Sequence, residues 1–100
     1  MVKHIVLWKL KETAEGRDKA ANAQVIKEAL EALQGKIPGL LKIEVGFDFV
    51  KADTSCDVAL YSELASPAAL DAYQSHPAHQ AVIPLIRALA SERRAVDYEI

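Results

Sequence analysis

Three histidines, a tyrosine and a tryptophan are the side chains through which this sequence could do chemistry. His4 alternates with Val2, Val6 and Trp8, so a period of two places its imidazole on an apolar face. His79 stands three, four and seven residues before Val82, Ile83 and Ile86, on an apolar helical stripe. A half-buried imidazole needs partners for its ring nitrogens. Two readings stay open. The ring is a core histidine bonded to a backbone carbonyl, or it is the polar tip of an otherwise apolar small-molecule pocket. In the second case desolvation lowers its pKa and keeps it neutral, able to act as a base. Tyr73 precedes His79 across a helix break. Its phenol would donate to a developing oxyanion while the imidazole takes a proton from carbon; the plainer alternative is packing and a backbone bond. Trp8 is a core residue or a substrate platform.

His76 and His79 are three apart, a spacing that can chelate a metal on one helical face. His76 precedes Pro77, which makes it a helix cap with its ring off that face, and nothing selects Asp71 or Asp97 as a third ligand. The reading is therefore no metal and no cofactor. Cys56, the one cysteine, has no fixed basic neighbour and reads as inert; alone, it excludes a disulfide framework and a zinc ribbon. The sequence has no glycine-rich phosphate loop, no Gly-x-Ser-x-Gly elbow and no Cys-x-x-Cys.

The elements that must position these residues follow from periodicity. Val2 to Leu10 reads as a strand with Val2, His4, Val6, Trp8 and Leu10 on one face, but Ile5 and Leu7 make the other face apolar too. Glu12 to Gly16 is a polar connection. From Arg17 the composition turns helical, with Ile26, Leu30, Leu33 and Ile37 on one face, Gly35 as a stop and Pro38-Gly39 as a turn. Leu41, Ile43, Val45, Phe47 and Phe49 alternate with polar residues or glycine and predict a second strand; Asp57 to Leu64 predicts a third. Ser66-Pro67 and His76-Pro77 each open a helix, the first running to Gln74. The second carries Val82, Ile83, Ile86, Leu89 and Ala90 inward and should bend at Pro84. Arg93 to Ile100 closes the chain as a strand with Val96, Tyr98 and Ile100 on one face.

The order β-α-β-β-α-β predicts an α+β, ferredoxin-like sandwich over residues 1–100 as a single domain, with helices on one side of the sheet. The second apolar face then needs a cover, and a second copy of the same sheet supplies one. Burying about ten aliphatic side chains there is worth roughly 15–30 kcal/mol gross. The expected assembly is a homodimer whose two sheets form one barrel, with Ile5 and Leu7 pointing into it. Fourteen acidic against twelve basic residues give a net charge of −2, which argues against a nucleic-acid partner. No apolar run approaches the ~20 residues of a membrane span, and the run Ile5 to Trp8 is too short for a signal sequence. The expected location is the cytoplasm.

Val2-Lys3-His4-Ile5-Val6-Leu7-Trp8-Lys9-Leu10, Ile37-Pro38-Gly39, the run Leu70 to His79 and Val96-Asp97-Tyr98 together resemble the stress-responsive A/B barrel (Dabb) proteins. The resemblance spans essentially the whole chain, and Tyr73-x-x-His76-Pro77-x-His79 is its specific part. It implies a dimeric α+β barrel. In a plant polyketide cyclase of that family the phenol and second imidazole of this motif act in an aldol cyclisation, which would make Tyr73 and His79 catalytic. His4 and His76, with Trp8, would line the substrate pocket. Other members carry the motif without assigned chemistry. A non-enzymatic stress-response or structural homodimer is the alternative. A cofactor-free monooxygenase is a weaker one, from a neighbouring group of similar fold that also includes haem-degrading enzymes; Asn22 and Trp8 do not match the Asn, Trp and His set of the haem-degrading type.

Overall fold

The pairing partners of the opening strand organise the molecule. The computed structural model describes residues 1–100, with β1 at Val2–Leu10, β2 at Thr13–Ala14, β3 at Arg17–Asp18, α1 at Lys19–Glu31 and β4 at Leu40–Phe47. β5 follows at Val58–Leu64, α2 at Pro67–Ser75, α3 at Pro77–Leu89 and β6 at Ala90–Glu99. β1 lies between β5 and β6 in an antiparallel four-stranded sheet of order β4-β5-β1-β6. This is the ferredoxin-like arrangement, with the second helical segment divided in two at His76.

Period two decides what each face buries. Val2, Val6, Trp8 and Leu10 join Ile43, Val45, Leu60 and Leu64, and meet Ile26, Leu30, Val82, Ile86 and Leu89 from the helices in one buried cluster. On the reverse face Ile5 pairs with Tyr61 and Val96, and Leu7 with Ala59 and Arg94. Leu7, Val96 and Tyr98 remain 37, 52 and 45 % exposed there. A single chain therefore leaves an apolar sheet face in water, where burial would contribute about 25 cal/mol per Å2. No helix is long and apolar enough to cross a membrane.

Both proline-marked helix starts form as the sequence suggests. Ser66 Oγ accepts from Ala69 N at 3.1 Å, and His76 Nδ1 accepts from Ala78 N at 3.0 Å. The expected strand at 41–49 is displaced. A register shift between Leu40 and Lys42 inserts one residue, so Leu40 is buried while Leu41 turns outward. Pairing stops at Phe47, and Phe49 is almost fully exposed. The last strand begins at Ala90 rather than Arg93, so Ala90 ends the helix instead of extending its stripe. The polar connection holds a tiny hairpin, with Glu15 and Gly16 at φ 54 and 74 as its primed turn. α1 stops at Glu31, and Leu33 and Ile37 are buried from the turns beyond it.

Candidate functional site

Strand alternation aims His4 between sheet and helices, where it is 3 % exposed. Its neighbours across the sheet are Ser62 and Asp97. Ser62 Oγ donates to the His4 carbonyl at 3.1 Å, satisfying one of the buried polar groups of this row. The His4 ring engages Asp97 through Nδ1. A carboxylate only accepts, so Nδ1 carries the proton and Nε2 keeps its lone pair when the ring is neutral. Nε2 makes no hydrogen bond within the chain, and His4 lines a cavity.

That cavity is about 520 Å3, within the range of small-molecule pockets. Val6, Trp8, Leu30 and Leu60 form its sheet side and floor; Val82, Ile83 and Ile86 of α3 form its roof. His79 enters from the first turn of α3, half-buried. Its Nδ1 lies 3.2 Å from the Gln74 carbonyl oxygen. Because a carbonyl cannot donate, Nδ1–H is the donor and Nε2 is free to accept. Burial holds the His79 pKa below its ordinary value, the bond to Gln74 opposes this, and the nearby His4 and Arg93 push it further down. These shifts favour the neutral imidazole, with the Nε2 lone pair free.

Tyr73 joins the two imidazoles without entering the cavity wall. Its ring is edge-on to His4 at 5.9 Å and tilted against His79 at 4.4 Å between centroids. The side chain is completely buried, and its hydroxyl is the one buried side-chain polar atom with no partner in the chain. Burial pushes its pKa up to about 12, so the phenol stays protonated and keeps its O–H to donate. An orphaned buried hydroxyl costs about 1–3 kcal/mol, which sets it apart from the rest of a well-satisfied core.

The five residues singled out by sequence therefore divide. His4, Tyr73 and His79 come together, and Trp8, 5 % exposed, is both core and cavity wall. His76 does not join them: its ring nitrogen caps α3, and it is absent from the cavity lining. The structure thus uses His76 Nδ1 as the cap its position before Pro77 suggested. Asp97, the partner of His4, stands out in sequence only as a polar residue between Val96 and Tyr98, and needs the β1–β6 register to be recognised. Arg87 and Arg93, which also line the cavity, carry no sequence signal that separates them from solvated surface charges.

Comparison with known proteins places these features in a family context. Residues 2–100 match the profile of the Stress responsive A/B Barrel Domain (Dabb). An uncharacterized protein of Streptomyces coelicolor is 36 % identical over 99 residues, 99 % of each chain. A dimeric ferredoxin-like protein of unknown function from Bacteroides fragilis is 37 % identical, with a TM-score of 0.86 over 99 % of this chain and 95 % of that one. Another, from Thermobifida fusca, is 27 % identical with a TM-score of 0.84, covering 99 % and 90 % of the two chains. At 17 % identity, a hydroxynitrile lyase from Passiflora edulis and a putative antibiotic biosynthesis monooxygenase from Nitrosomonas europaea share the fold alone.

Proposed function

The chain belongs to the stress-responsive A/B barrel (Dabb) family, and we propose that its cavity binds a small carbonyl or aromatic molecule and that His79 removes a proton next to the carbonyl. The observation that carries this reading is the Tyr73–His79 contact at 4.4 Å beside an apolar cavity, with His79 neutral and Tyr73 an unpartnered donor. His79 Nε2 takes the proton from carbon while the Gln74 carbonyl holds Nδ1–H and stabilises the imidazolium that forms. The electron pair moves onto the carbonyl oxygen, and the Tyr73 hydroxyl, buried behind the His4 and His79 rings, donates to it once a side-chain shift opens it to the cavity. In an aldol-type cyclisation the enolate carbon then bonds to a second carbonyl of the same molecule. The proton on His79 returns to the new alkoxide. Proton transfers alone balance this chemistry, so it calls for no cofactor.

His4 and Trp8 serve as substrate-binding residues on the sheet side of the cavity, with Asp97 fixing the His4 ring. We extend the proposal to a homodimer formed through the reverse sheet face. Its support is the apolar row Ile5, Tyr61 and Val96, and the relatives described as dimeric. A cytoplasmic setting fits the single Cys56, which has no disulfide partner.

The test is proton exchange. Acetophenone in D2O should gain deuterium at its methyl group faster with the protein than without it. His79→Ala should abolish the acceleration, and Tyr73→Phe should reduce it by about 100- to 1000-fold, the effect of losing an oxyanion donor. A second reading, a non-enzymatic homodimer, is favoured by one observation: Tyr73 and His4 are as buried as the surrounding core. Unaccelerated exchange, with destabilised folds in His79→Ala and His4→Ala, would select it.

A further inference from the structure

The cavity combines an apolar lining with two exposed guanidinium groups at its rim. Arg87 near the end of α3 and Arg93 of β6 both line it, and both are exposed. Neither makes an ion pair or a side-chain hydrogen bond within the chain. The one carboxylate on the lining, Glu92, is already shared by Lys9 at 3.8 Å and Arg94 at 2.5 Å. The mouth is therefore locally positive on a chain whose net charge is −2. Field lines from two guanidiniums beside a low-dielectric pocket favour an anion there. A guanidinium's planar fork matches the two oxygens of a carboxylate, which makes such pairs strong as well as selective.

We propose that the ligand of this cavity is a carboxylic acid with an apolar body: its carboxylate is held by Arg87 and Arg93, and its body lies against Trp8, Ile83 and Ile86. This names the substrate class of the site proposed above and rests on that reading. The far end of such a molecule, rather than its carboxylate, is then what His79 and Tyr73 meet. Arg87 and Arg93 act as orienting residues that fix which carbon faces the base.

The experiment is calorimetric titration of the wild-type protein with 4-butylbenzoate, 2-naphthoate and their methyl esters, at low and moderate salt. The acids should bind at least about tenfold more tightly than the esters, and added salt should narrow the gap. The Arg87→Gln/Arg93→Gln double variant should lose about tenfold for the acids and leave the esters unchanged. Esters that bind as well as acids, or a double variant with undiminished acid affinity, would overturn anion recognition while leaving the cavity as a small-molecule site. If none of the four compounds binds and the histidine resonances do not move, both proposals fall together.

Discussion

Replacing Tyr73 by Phe should make the protein more stable while removing the donor that the proposed chemistry needs. The Tyr73 side chain is fully buried, and its hydroxyl has no partner. Leaving a hydroxyl in that condition costs about 1–3 kcal/mol, whereas the ring packing is shared by phenylalanine. Deleting the oxygen should therefore return about 1–2 kcal/mol. For a chain of this length that corresponds to a rise of roughly 4–8 °C in Tm per kcal/mol. The assay is thermal and urea unfolding of both proteins at one fixed concentration, because an oligomer's Tm depends on concentration. Tyr61→Phe is the control of opposite sign. The Tyr61 hydroxyl donates to Glu63 at 2.6 Å, so removing it should cost about 0.5–1.5 kcal/mol. A Tyr73→Phe variant less stable than wild type by 1 kcal/mol or more would refute the argument, since it would show that the hydroxyl is satisfied in the folded protein.

Other perturbations test other joints of the structure. Leu7→Lys puts a charge in the apolar reverse face and forfeits about 1.5–3 kcal/mol of leucine burial in a dimer; light scattering should find dissociated or unfolded chains, and a stable dimer would contradict the interface. Gly39→Ala combines φ +84 with a Cβ placed 2.8 Å from the Ala69 Cβ and should cost about 2–3 kcal/mol, while Gly35→Ala, at φ +82 in open space, should cost about 1; equal losses in urea unfolding would refute the contact. The Tyr73 pKa is raised from 10.0 to about 12, so its stabilising share is complete below pH 10 and is lost as pH climbs toward 12, by at most about 3 kcal/mol; Tyr73→Phe should flatten that part of the stability profile. His79 acts at the acid end: its folded pKa lies below 6.5, so the unfolded chain binds the proton first and stability falls as pH drops below 6.5, a slope His79→Gln should reduce.

The elements legible in the sequence are those fixed by local chemistry. Ser66-Pro67 and His76-Pro77 set two helix starts through capping and a preset φ, and the period-two row Val2, His4, Val6, Trp8 and Leu10 marked one face of β1. What escaped depends on partners distant in the chain. The bulge at Leu40–Lys42 exists to keep Leu40 opposite Leu64, and nothing within Leu41 to Phe49 announces that the alternation shifts there. The site shows the same division. His79 could be placed from its stripe, but Asp97 becomes a partner of His4 only through the register of two strands 93 residues apart. His76 shows a role read locally: its place before Pro77 announces the helix cap that its Nδ1 provides. Arg87 and Arg93 were invisible because a charge at the mouth of a pocket and a charge on a solvated face look alike in sequence.

The most direct measurement is an NMR titration of the three histidines with and without a bound aromatic acid. The account predicts that His79 titrates below 6.5, with its proton on Nδ1, and that its pKa and shifts move when the acid is added. A His79 that titrates at or above 6.5 and ignores the ligand would contradict it.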